Sequence, residues 1–397
     1  MAAPIGEGMP ASIRRIAIGL GGGYVPGLAG VVRAAARAAH RRGWEVVGVR
    51  DGFDGLLFPE RYPDGGVVAI EPSTSPGSDD EGSLLGTGAR TDPFRLQQQD
   101  EDGLVEEVDA SGRVLAALRE RGIDAFIAIV GGSAVTGSHA LAVMWKLSRQ
   151  GLRCVCIPKS VENDLAATAR PYGYDSVVGY TTEALRHIRI AARDQGRVAL
   201  VEVPGQYAGW LALDAGLAAG ADVVLIPEVP YRVEAVARHI NADLGAALIV
   251  VAEGARAIDG NRVGSAGDDT DAVRARLSPG SDPDYGAGTR MIHRAGRMAQ
   301  AVYEEVQRHS GRELFALVLD QLVRAGATSA ADRVLGAAYG AAAVQALADG
   351  QVHDLVAARG DRFETLPLAD AVNRIRTIEP ASTVLASARA RGLCLGD

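Results

Sequence analysis

Short apolar runs alternate along this chain with longer stretches whose apolar residues recur every three or four positions. The short runs are RIAIGL at 15–20, WEVVGV at 44–49, GIDAFIAIVGG at 122–132, Cys154–Ile157, VALVEV at 198–203, DVVLIPE at 222–228 and ALIVVAEGA at 247–255. Continuous apolar character with many β-branched residues, closed by Gly or a polar residue, predicts buried strands. Helical spacing is carried by LAGVVRAAARAAHRR, which Gly43 ends, by residues 104–121, by YTTEALRHIRIAAR and by RVEAVARHINADL. Strand then helix, repeated, predicts βα units, which pack as a doubly wound parallel sheet in each of two α/β domains. Residues 62–83, rich in Pro, Gly, Ser and acid, read as an exposed loop, and the run 258–288 as another.

Composition narrows the function classes. With 397 residues, 47% of them hydrophobic and 23% charged, the chain can bury two domains, each with its own core. Aromatic residues are 5% and the formal net charge is -8, which argues against nucleic acid or an anionic membrane as partner, so a phosphate-bearing ligand needs a local basic pocket. Cys154, Cys156 and Cys394 are too few for a disulfide framework and are expected to be reduced in a cytoplasmic protein. The chain begins without the apolar run of a signal peptide, and no stretch reaches the ~18 apolar residues of a membrane span. The seven His residues show no zinc-ligand spacing.

Two stretches carry candidate chemistry. Gly21-Gly22-Gly23-Tyr24-Val25-Pro26-Gly27 turns the first strand into a helix, so backbone amides and a helix N-terminus could cradle an anion, although a tight turn has the same composition. Pro158-Lys159-Ser160-Val161-Glu162-Asn163-Asp164 emerges where a buried strand ends, the edge at which open α/β sheets bind ligands. A compact cation, a hydroxyl and two carboxylates suit phosphate, metal and proton handling, while a charged loop after a strand accounts for the same residues.

PKSVENDL, TARPYGYDS and RVALVEVPGQYAGWLALDAGLAAGADVVLIPE together resemble the phosphofructokinases, especially the pyrophosphate-dependent branch, and the likeness runs in order from about Arg15 to Val344. The resemblance implies two Rossmann-like domains, 1–172 with 323–376 binding the phosphoryl donor and 173–322 with 377–397 binding a sugar phosphate. It implies phosphoryl transfer from pyrophosphate, or from ATP, to a ketose phosphate such as fructose 6-phosphate; departures from the family's pattern motivate two alternatives, another phosphorylated sugar as acceptor or binding of a sugar phosphate without turnover. By the same likeness Glu162 is the base, Asp164 holds Mg²⁺, and Arg90, in LGTGARTDP, steadies the transferred group. The donor would meet Gly22, Gly23, Arg90, Lys159, Gly131, Gly132 and Ser133; the sugar would meet Ser160, Glu162, Arg197, Pro204, Gly205, Gln206, Glu228, Gln321 and Arg324.

Departures from the family pattern are specific. The turn Gly131-Gly132-Ser133-Ala134-Val135-Thr136-Gly137-Ser138 lacks the family's metal-binding carboxylate, and Glu162 replaces a shorter Asp. Lys159 leans the donor toward pyrophosphate; the small residues at Ser133 and Ala134 lean it back toward ATP. Gln206, Phe315 and Gln321 stand where Arg, Arg and His are expected. The family also implies a homodimer or homotetramer, with Arg197 reaching a neighbouring subunit's sugar site.

Overall fold

The structure, a computed structural model, describes residues 13–71, 82–88, 91–99, 104–131, 140–242, 245, 247–258, 296–372 and 374–397. Strands β1 (Arg15–Gly21), β2 (Glu45–Val49), β3 (Val67–Ala69), β4 (Leu96–Gln99), β5 (Val105–Val108), β6 (Ala125–Gly131) and β7 (Cys154–Lys159) precede β8 (Val198–Val203), β9 (Val223–Leu225), β10 (Ala247–Ala252), β11 (Leu314–Val318), β12 (Asp354–Arg359) and β13 (Arg362–Pro367). They form one sheet in the order β13-β12-β7-β6-β1-β2-β3 and a smaller one in the order β11-β8-β10-β9, with β4 and β5 as a separate hairpin. The smaller sheet is entirely parallel. In the larger sheet β12, β7, β6, β1 and β2 run parallel and the edge strands β3 and β13 antiparallel.

β6, β7, β8 and β10 are buried at every residue, as unbroken apolar runs require when helices cover both sheet faces. The outer face of each sheet has its own apolar cluster. The inner faces share one: Ile16, Ile127 and Val155 of the larger sheet join Val201, Val224 and Val250 of the smaller. Helices Tyr174–Gln195 and Ala330–Ala348, which contribute Leu185 and Tyr339, lie in that continuous cluster. The expectation of a separate core per domain is corrected to this extent. Large shared apolar burial holds the two sheet edges in fixed relation, which a site built between them needs.

Two further expectations change. Residues 104–121 are not one helix: Val105–Val108 pairs with Leu96–Gln99, and a helix runs only from Ser111 to Glu120. The Asp109 carboxylate takes the Ser111 amide at 2.8 Å, so the chain turns at Asp109 before the helix begins. Val105 and Val108, three apart, share a face only in a helix and lie on opposite faces of the strand that forms, which is why spacing misleads here. Within 62–83 the short edge strand β3 forms, while 72–81 lie outside the described residues. Among the described residues no helix is long and apolar enough to cross a membrane.

Candidate active site

The C-terminal ends of β1, β6 and β7 in one sheet and β8 and β10 in the other deliver the polar residues of the site, as the topology of open parallel sheets predicts. β7 ends at Lys159, which is 2% exposed. Its Nζ donates to the Gly23 carbonyl of the Gly-rich turn. Burial, then the nearby Arg324 guanidinium, lowers its pKa to about 7. Arg324 Nη1 donates to the Tyr24 carbonyl at 2.6 Å, so two cations pack against one turn. Arg324 Nε is buried with no partner among the described residues.

Tyr172 closes the turn from behind. It pairs with Lys159 as a parallel bridge, its carbonyl accepts the Ser160 amide at 3.0 Å, and its hydroxyl donates to the Pro26 carbonyl. Gly27 lies against that hydroxyl with φ +81°, and a Cβ there would approach it to 2.4 Å. Only glycine satisfies both demands, and it starts the helix Leu28–His40, whose N-terminus therefore faces the site.

Glu162 crosses from one sheet to the other. The Gln206 amide, just beyond β8, and the Arg324 charge favour its ionised form, while Asp164 and Glu253 oppose it. Burial is the largest influence, and together these push its pKa up to about 8. The residue as a whole is half-buried, but Oε2 is closed off from solvent with no partner among the described residues. Ser160 Oγ donates to Asp164 Oδ1 at 2.7 Å and accepts the Glu162 amide at 3.1 Å, fixing the loop's two carboxylates.

Glu253, which strand-by-strand reading passes over, belongs to this group. It follows β10, its amide donates to the Val203 carbonyl at 3.0 Å, and Gly254 donates to Gly205 at 3.2 Å. A Cβ on Gly254 would stand 1.9 Å from the Gln206 carbonyl, so glycine permits the two strand ends to meet. The signal was present in sequence as an acid at the C-terminal end of a parallel strand.

The other expected residues are distributed unevenly. Gly22, Gly23, Gly131, Lys159, Ser160, Pro204, Gly205, Gln206 and Arg324 lie at or beside the strand ends described above. Gly132, Ser133 and Arg90 lie outside the described residues, although Gly88, just before Arg90, bridges Gly21 of β1. Glu228 is buried, and its carboxylate accepts the Gly209 amide at 3.1 Å and the Ile378 amide at 2.9 Å. Gln321 is exposed and donates to Asp320 at 3.1 Å. Arg197 stands where β8 begins, the opposite edge from Gln206: it pairs with Glu313 at 3.0 Å and covers the Phe315 ring at 5.1 Å.

Similar proteins give the arrangement a lineage. An ATP-dependent 6-phosphofructokinase of Chloroflexus aggregans is 35% identical, covering 98% of this chain and 99% of its own length. A pyrophosphate–fructose 6-phosphate 1-phosphotransferase of Amycolatopsis methanolica is 36% identical, covering 92% and 96%. The solved pyrophosphate-dependent phosphofructokinase of Marinobacter aquaeolei shares the fold at 21% identity, with a TM-score of 0.66 over 92% of this chain and 86% of that one. Residues 15–347 match the family described as Phosphofructokinase, and with this fold and relatives so alike along nearly their whole length, the chain belongs to the phosphofructokinase family.

Proposed function

We propose that this chain transfers a phosphoryl group from pyrophosphate, or from ATP, to a hydroxyl of a ketose phosphate such as fructose 6-phosphate. The observation that carries the reading is Glu162: a carboxylate with an elevated pKa and an oxygen unpartnered among the described residues, set between the Gln206 turn of one sheet and Arg324, which packs on the Gly-rich turn of the other. The acceptor hydroxyl oxygen forms the new P–O bond, its proton passes to Glu162, and the bond to the leaving phosphate breaks with its electron pair on that phosphate. Lys159 neutralises the donor's charge beside Gly23, and Arg324, expected from sequence at the sugar, lies against Tyr24 of the same turn, where it would serve the donor's charge instead. Arg90, by its position after Gly88, would serve the same charge.

The donor set at the loop suits Mg²⁺. It is all oxygen, and among the described residues no three His, Cys, Asp or Glu side chains form a closed metal cage. Mg²⁺ is commonly held by one or two carboxylates plus substrate phosphates, so Asp164 would hold it and the ion would neutralise phosphate charge. A division into 1–172 with 323–376 and 173–322 with 377–397 is supported by strand membership: β12 and β13 return to the larger sheet, and Cys394 bridges Val223 of the smaller.

Two buried cations against one short turn suit a compact polyphosphate, which favours pyrophosphate as donor. A second acceptor sugar is favoured by Phe315 lying under Arg197 and by Gln321 facing solvent. Incubation with Mg²⁺, a panel of sugar phosphates and each donor, followed by phosphorus NMR, tests all of this. Turnover of fructose 6-phosphate is the expected result; turnover of another sugar alone selects the second acceptor. Thermal shifts by sugar phosphates without turnover would overturn the reading in favour of a binding protein.

A further inference from the structure

The carboxylates at positions 162 and 164 flank Asn163, whose φ of +56° is a left-handed conformation open to Asn and selected here by an outside constraint. The constraint comes from the far end of the chain. Ile375 pairs with Leu165 as an antiparallel bridge, and the Arg376 amide donates to the Asp164 carbonyl at 2.7 Å. Arg376 Nη1 donates to Asn163 Oδ1 at 2.8 Å and to the Ala169 carbonyl at 2.9 Å. The same guanidinium lies 4.7 Å over the Trp210 ring, and Trp210 Nε1 donates back to the Arg376 carbonyl at 3.0 Å. Trp210 opens the helix that follows the Pro204-Gly205-Gln206 turn.

We propose that Arg376 is a positioning residue for phosphoryl transfer: it holds Asn163 in the conformation that turns Glu162 and Asp164 into the cleft, and it ties that loop to Trp210 on the acceptor side. The inference rests on the function proposed above. Arg376 Nη1 serves two acceptors on one loop while the flat guanidinium lies over one ring on the opposite sheet's helix, a stacked geometry that a lysine ammonium does not reproduce. Reacting groups moved by about 1 Å cost on the order of 100-fold in rate, so loosening this clamp registers in turnover before it registers in folding.

The test uses the full chain carrying Arg376→Lys, Arg376→Gln or Asn163→Gly. Glycine at 163 keeps the left-handed backbone accessible and deletes the side-chain acceptor. For Arg376→Gln, kcat is expected to fall by about 10- to 100-fold with KM little changed and Tm unaltered. Arg376→Lys, which keeps the charge over Trp210, is expected to lose nearly as much. Amide exchange should quicken at Asn163 and Asp164 and stay slow in β1 and β6. Combined with Asn163→Gly, Arg376→Gln should cost little more than Arg376→Gln alone, because the contact that Asn163→Gly deletes is already among those lost.

Unchanged kcat and unchanged loop exchange in Arg376→Gln would overturn the proposal. So would multiplicative losses in the double variant, or full activity in Arg376→Lys. Exchange is read without turnover, so the two readings fail separately. A wild-type protein that moves no phosphate, with a loop that Arg376→Gln loosens, defeats the function and keeps the clamp; active variants with a rigid loop do the reverse.

Discussion

Glu162 and Lys159 are tuned in opposite directions by the same burial. As the proposed base, Glu162 must be ionised to accept a proton, and its pKa is about 8; as the proposed phosphate ligand, Lys159 must be protonated, and its pKa is about 7. The productive pair is therefore a minority form in the free protein at any pH. kcat/KM should trace a narrow bell centred between pH 7 and 8, its rising limb set by Glu162 and its falling limb by Lys159. A broad plateau across that interval would contradict the arrangement. Glu162→Gln should abolish turnover, and an unaffected rate would reject Glu162 as the base. It should also stabilise the fold at alkaline pH. With a native pKa near 8 against an ordinary 4.5, the native state keeps a proton that the unfolded chain has released, so stability falls as pH rises through that window. Melting curves should show the variant overtaking the wild type by about 3 °C or more at pH 8.5, and no such gap at pH 4.

The central loop and the helices around it show what local sequence carries and what it omits. Lys159, Ser160, Glu162 and Asp164 were legible because each follows directly from a buried apolar run, and the strand end alone places them. Arg376 was not, since its partners Asn163 and Trp210 are brought to it by tertiary folding and leave no mark beside it. Asp332 illustrates the same limit. Buried to 1% exposure, its carboxylate accepts the Gly173 amide at 3.0 Å, the Ser176 amide at 2.8 Å and the Ser176 hydroxyl at 2.6 Å. It thus caps the helix Tyr174–Gln195 from the first turn of the helix Ala330–Ala348, where Ser329 in turn accepts the Asp332 amide at 3.1 Å. Burial raises the Asp332 pKa and the three donors oppose that. Asp332→Ala strands those donors and should cost about 3 kcal/mol in denaturant unfolding. A loss below about 0.5 kcal/mol would mean that water replaces the cap.

At the scale of the whole molecule, Arg197 and Gln206 sit at opposite ends of β8, a strand of six residues. Six extended residues span about 20 Å, well beyond the reach of one arginine side chain, so Arg197 cannot touch a sugar phosphate bound beside its own chain's Gln206. A binding role for Arg197, as the sequence resemblance implies, would require a second copy. The surface around β11 suits such a neighbour: Leu317, Val318 and Leu322 are 41%, 37% and 54% exposed on the edge strand and the turn after it. Sedimentation should give a dimer or a tetramer. Arg197→Ala should raise KM for the sugar phosphate about 10-fold or more while leaving kcat largely intact, as loss of a charged ligand contact does. Unfolding Arg197→Ala together with Glu162→Gln and refolding the mixture should restore sites that hold an intact Glu162 from one copy and an intact Arg197 from the other. Recovered low-KM activity in the mixture is the expected result; a fully active monomer would place the phosphate-binding cations elsewhere in the same chain.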